Sequence, residues 1–136
     1  MAFSPYFGLN FTHEIRTGRL LRLFPGKLPD PKKARKKVKP DLESLTFWPR
    51  GRSFKFDQLL AVPSGSKPNR DIGARIRLRA NGSESSARPV SFAVFYNHLR
   101  ERFSELNIEG VVIRKTELRF YQRGNGSQAQ DLGGST

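Results

Sequence analysis

Two short acidic steps recur in the chain, Asp41-Leu42-Glu43 and Asn107-Ile108-Glu109. Side-chain oxygens at this spacing close a turn just before a strand enters a sheet. Brought together, Glu43 and Glu109 are also the kind of acid pair that can serve hydrolysis. A second constellation is the loop Ser64-Gly65-Ser66-Lys67-Pro68-Asn69-Arg70. Its small donors beside a guanidinium suit a phosphate or a carboxylate, because backbone N–H nests and a forked arginine match planar anions. The same residues also make an ordinary tight loop between strands. Arg123-Gly124-Asn125-Gly126 repeats that chemistry. Neither loop has the G-x-x-x-x-G-K-[ST] order of a nucleotide-binding P-loop or the G-x-S-x-G order of a nucleophile elbow.

A third candidate is electrostatic. Seven of the 25 basic residues fall within Lys27–Lys39. Lys32, Lys33, Arg35, Lys36, Lys37 and Lys39 can attach to phosphate backbones in a salt-dependent way, the alternative reading of the chain as a nucleic-acid-binding domain. The stretch holds no aromatic residue for base stacking and no nucleic-acid motif, so a solvated connector is the competing reading. The histidines carry less. His98 has no partner at metal-ligand spacing and reads as a helix-surface residue, and His13, beside Glu14, has no nucleophile near it in sequence.

The elements that must position these residues are mostly strands. Tyr6–Phe11 and Arg19–Phe24 read as two short strands around a Thr17-Gly18 turn, and residues 25–40 as a basic connector in which Pro25, Pro29, Pro31 and Pro40 forbid a long helix. Strands follow at Leu42–Trp48, ended by Pro49-Arg50-Gly51, and at Gln58–Val62. Ala74–Arg79 alternates apolar and basic residues, the period of a half-buried strand with an arginine-rich outer face. Asn81–Pro89 reads as a polar, hairpin-like loop. Ser91–Leu106 places Phe92, Phe95, Tyr96, Leu99 and Phe103 at spacings of three and four, an amphipathic helix with Ser91 as N-cap. Gly110–Arg114 and Glu117–Tyr121 are strands around Lys115-Thr116, and residues 123–136 read as a flexible Gly/Ser/Gln-rich tail.

The bulk composition bounds the function classes. The 136 residues suit one domain, and fifteen aromatic side chains, eleven of them Phe, are enough for a core. With no cysteine, disulfide scaffolds, thiolate zinc sites and cysteine nucleophiles are excluded. No apolar run approaches the ~20 residues of a membrane span, and the N-terminus lacks a secretory pattern, so a soluble, cytoplasmic chain without a membrane partner is expected. The net charge of +13 favours anionic partners.

The two acidic steps head a longer internal match, PDLESLTF (40–47) against LNIEGVVI (106–113), at an interval of 66 residues. The series KPDLESLTF, LLAVPSGSKPNR, a helix, LNIEGVVI and LRFYQRGNG resembles an uncharacterised family of bacterial β-propeller-like proteins, over about residues 35–126. That family is akin to the phytase-like and strictosidine-synthase-like propellers, with their D-x-E-G-[LIV] steps at the start of an inner strand. The resemblance implies a mainly β, antiparallel chain with one amphipathic helix, forming a single partial β-propeller-like domain of about two blades. A closed ring needs at least ~4 four-stranded blades, so further blades or self-association would cover its open edges. It further implies that Asp41, Glu43, Asn107 and Glu109 lie near the central channel, where they can hold a cation such as Ca²⁺. Ser64, Ser66, Asn69, Arg70, Arg123 and Asn125 would then share one rim that binds a small anionic ligand.

Overall fold

The computed structural model describes residues 21–51 and 54–123. It is mainly β: a four-stranded antiparallel sheet, a two-stranded hairpin and two short helices. The sheet is a meander of β1 (Leu42–Trp48), β2 (Gln58–Pro63), β3 (Ile72–Leu78) and β4 (Glu84–Ser91), in spatial order β1-β2-β3-β4. The hairpin pairs β5 (Ile108–Arg114) with β6 (Glu117–Gln122), turning at Lys115, a non-glycine residue in the left-handed region at φ 57°. Helix α1 spans Lys32–Val38, and α2 spans Ala93–Arg100 between β4 and β5.

Strand β2 explains the architecture. Its sequence Gln-Leu-Leu-Ala-Val-Pro is buried almost throughout, because both faces of the sheet are covered along it. Successive side chains of a strand point to opposite faces. Leu60 and Val62 therefore join one core, with Tyr96 and Leu106 from the connection and Ile108, Val111 and Phe120 from the hairpin. Ala61 points the other way and joins Ala74, Ile76 and Leu78 of β3, over which Leu23 packs. Each large side chain so buried contributes about 1.5–3 kcal/mol.

The hairpin is fastened along the free edge of β1. Val111 N–H donates to Ser44 Oγ at 2.9 Å, and Ser44 Oγ lies 3.4 Å from Val111 O. One hydroxyl thus stands in for a ladder residue between β1 and β5. Ile108 N–H donates to Ser64 O at 2.7 Å and fixes the start of β5.

Several sequence expectations are adjusted. A second helix exists: the basic connector contains α1, two turns held between Pro31 and Pro40, short enough for prolines to bound rather than break it. The expected helix over 91–106 is Ala93–Arg100, and Ser91 belongs to β4, although its Oγ still accepts the Ala93 N–H at 3.3 Å. The expected loop at 81–89 is mostly β4. It is an edge strand rich in Ser and Arg, and such strands carry no apolar alternation to reveal them. Pro89 is tolerated there because an edge strand has one unpaired side. Of Arg19–Phe24, residues 21–24 are described and form no strand; Tyr6–Phe11 and the tail beyond Arg123 lie outside the described residues.

Candidate functional site

The internal match is structural as well as sequential. Strand β1 carries an irregularity between Leu42 and Ser44, which leaves Glu43 as the extra residue against β2. Strand β5 carries the same irregularity between Ile108 and Gly110, which leaves Glu109 extra against β6. Ser64 N–H donates to Asp41 O at 2.8 Å, and Arg123 N–H donates to Asn107 O at 2.9 Å, one residue before each strand. The two hairpins β1–β2 and β5–β6 therefore share register, bulge and closing bond. Bulges of this kind re-aim a side chain, and here they re-aim the two acids.

Glu43 and Glu109 are brought close enough to repel. Partial burial raises the pKa of Glu43 above the usual carboxylate value, and the negative charges of Asp41 and Glu109 push it the same way. Asn107 Nδ2 donates to Glu109 Oε1 at 2.9 Å, and Arg123 sits 3.7 Å from the same oxygen. Among the described residues, no group of three or more His, Cys, Asp or Glu side chains is arranged to hold a metal ion. In the Ca²⁺ set of Asp41, Glu43, Asn107 and Glu109, Asp41 is already engaged elsewhere.

That engagement is the loop of residues 64–70. Arg70 donates to Asp41 Oδ2 at 2.8 Å and to Ser66 Oγ at 3.0 Å. Ser64 Oγ donates to the same carboxylate oxygen at 2.9 Å and lies 3.0 Å from Ser66 Oγ. The predicted chemistry of small donors around a planar anion is present, but the anion is the protein's own Asp41. Asn69 points elsewhere, its amide donating to Lys37 O at the end of α1. Asn125 is outside the described residues.

A second arginine, missed in the sequence, locks the loop from the other side. Arg100 of α2 donates to Asp71 Oδ2 at 2.8 Å and to Gly65 O at 2.7 Å, and its hydrogen bond to Asp71 strengthens its hold on its proton. Tyr96, fully buried, donates its phenol to Pro63 O at 2.6 Å, and burial pushes its pKa far above the ordinary value. Gly65 adopts φ +64°, and a Cβ there would strike the Tyr96 ring. Nothing in the spacing of Arg100 marked it, because it lies among the polar residues of an amphipathic helix. His98, beside it, is exposed and pairs with Glu101 at 3.5 Å, as a surface histidine does. His13 lies outside the described residues.

The positive charge gathers on two surfaces. Helix α1 exposes Lys32, Lys33, Arg35, Lys36 and Lys37 around its circumference, with Lys39 just beyond. Arg35 folds back onto Pro29 O and Asp30 O. The other surface is the outer half of β3–β4, where Arg75 pairs opposite Arg88 and Arg77 opposite Ser86 on the face away from Ile76. The segment Phe54-Lys55-Phe56 lies over it, with the Arg77 guanidinium 3.2 Å from the centre of the Phe56 ring. The alternation Arg75-Ile76-Arg77-Leu78-Arg79 announced this face; its aromatic cover had no sequence signal.

No curated protein and no solved structure matches the chain. A family match extends over residues 4–133, nearly the whole length, and takes in both bulged hairpins, the loop they bracket and the arginine face. The chain is a member of DUF6929, a family of unknown function.

Proposed function

We propose that this chain is a propeller-type scaffold that binds an anionic ligand on the arginine face of β3–β4. The observation that carries the binding reading is the groove on that face. It has a volume of about 660 Å³ and continues into a smaller one of about 300 Å³. Arg50, Lys55, Arg75, Arg77, Arg79 and Arg88 line the pair, against Asp57 as the only carboxylate in the lining among the described residues. Asp57 is itself occupied, accepting the Arg50 backbone N–H at 2.7 Å. Cations confined to a groove focus the field of a chain with net charge +13 onto one place.

The ring reading is supported by the meander β1–β4, whose strand β2 is covered on both faces as in a blade, and by β5 lying beside β1 as the inner strand of a following unit would. Closing a ring takes at least about four blades, supplied by further chain or by other copies. In such a ring the loop of residues 64–70 is the clamp that shapes the inner rim, and the anion site lies on the outer strands.

Thermal melting with inorganic tripolyphosphate at low ionic strength tests the reading. A ligand at 100 times its dissociation constant adds about 2.7 kcal/mol, a rise of several degrees. The rise shrinks with added salt. No rise at low salt would remove the anion-binding function.

A further inference from the structure

We infer that the ligand of the β3–β4 groove is single-stranded nucleic acid, a proposal that rests on the anion-binding reading above. Three features beyond net charge point to it. The cations form a row. Residues two apart on one strand face are about 6.6 Å apart, so Arg75 and Arg77 are spread along β3, with Arg88 across from them on β4. A row of charges matches a repeating polyanion better than one compact phosphate.

The second feature is aromatic. Phe56 is 44 % exposed and carries the Arg77 guanidinium over its ring, 3.2 Å from the ring centre, while Phe54 packs edge-on against Trp48 at 4.8 Å. A guanidinium laid on a phenyl ring offers its outer face as a planar platform for a base. Helix α1 has the charge without any aromatic residue. The third feature is an unmatched donor at the groove. Gln58, beneath the groove floor, is 4 % exposed, its buried Nε2 has no hydrogen-bond partner among the described residues, and it sits directly across from Arg77 in the sheet. Buried polar groups without partners are rare, and a ligand oxygen would satisfy this one.

In the complex, phosphates lie along Arg75, Arg77 and Arg88, with Lys55 and Arg79 at the ends. A base stacks against the Phe56–Arg77 pair, and the Gln58 side chain turns outward to donate to an oxygen of that nucleotide.

The test is fluorescence anisotropy of a labelled oligothymidylate of about 12 nucleotides, within the usual site size of a single-strand binder. A duplex of equal length is the comparison, at about 50 and 200 mM salt. The single strand is expected to bind more tightly than the duplex. Arg75→Gln with Arg77→Gln should weaken it at least about tenfold and lower the salt slope by about 1.4, the share of two phosphate contacts. Phe56→Leu should weaken binding and leave the salt slope unchanged, a signature of stacking that a bulk-charge effect does not give. Lys36→Gln with Lys37→Gln on α1 should change affinity less than about twofold. If the double arginine variant melts early, Arg88→Gln on the exposed edge strand serves in its place. Tighter duplex binding, an inert Phe56→Leu, or a loss that follows the α1 variant instead would overturn the proposal. Stabilisation by tripolyphosphate without oligonucleotide binding would overturn it and leave the broader anion reading standing; failure of both would remove the two together.

Discussion

At the scale of single residues, the chain uses its arginines in two different ways. Arg70 and Arg100 are internal struts, each closing the loop of residues 64–71 onto a carboxylate, Asp41 and Asp71. Asp71 is only 3 % exposed, so removing its partner leaves a buried charge unpaired. Arg100→Ala should therefore destabilise the fold by about 3 kcal/mol, the low end for a broken buried pair because Arg100 itself is partly in water. Its urea midpoint should fall accordingly, while Arg102→Ala, on the exposed turn after α2, should leave it unchanged. Glu43 gives a pH prediction. Its pKa is raised in the folded protein by burial and by the charges of Asp41 and Glu109. In the pH range just above its unfolded value, the folded state holds this proton more tightly than the unfolded one, so its contribution to stability falls as pH rises through that range. Glu43→Gln should melt higher than the parent at pH 7, and the gap should close by pH 4. A gap that does not change with pH would show that the acids are not in contact through charge. The acids were readable as an equivalent pair from their sequence steps. Their mutual approach was not, because it depends on two bulges that place β5 beside β1.

At the scale of elements, Ser44 decides how the two hairpins meet. Its hydroxyl takes the Val111 N–H and faces the Val111 carbonyl, the only such side-chain bridge among the described β1–β5 contacts. Ser44→Ala leaves both backbone groups poorly matched and should cost about 1–3 kcal/mol. Amide exchange should speed selectively at Val111 and its neighbours in β5, with β3 and β4 protected as before. Uniform acceleration would mean that the hairpins are not separate units. Strands with a clear signal were legible in the sequence: β3 showed in the alternation of Ala74–Arg79, and β1 was found to the residue because the run Leu42–Trp48 stops at Pro49-Arg50-Gly51. Strand β4 was not, since Ser85, Ser86, Arg88 and Pro89 look like a loop and become a strand only by pairing with β3. Helix α2 was readable as an amphipathic helix but drawn too long, because Phe103 and Leu106 continue its spacing after the helix has ended, and Leu106 serves the hairpin core instead.

At the scale of the whole molecule, charge and fold divide the work. The loop rim at the start of β1 and β5 satisfies its own arginine and acids, whereas the β3–β4 groove is lined by six cations and, among the described residues, one carboxylate. The loop that the sequence offers to an anion and the groove proposed here lie on different parts of the sheet. The residues best suited to an anion in sequence, Ser64, Ser66 and Arg70, already enclose one in Asp41. The most direct measurement is an amide chemical-shift map of the chain titrated with oligothymidylate at low salt. The predicted result is a continuous set of shifts over Phe54–Gln58, Arg75–Arg79 and Ser85–Arg88, with the loop of residues 64–70 and helix α1 unmoved. Shifts centred on α1 or on that loop, or none anywhere, would contradict a functional groove on β3–β4.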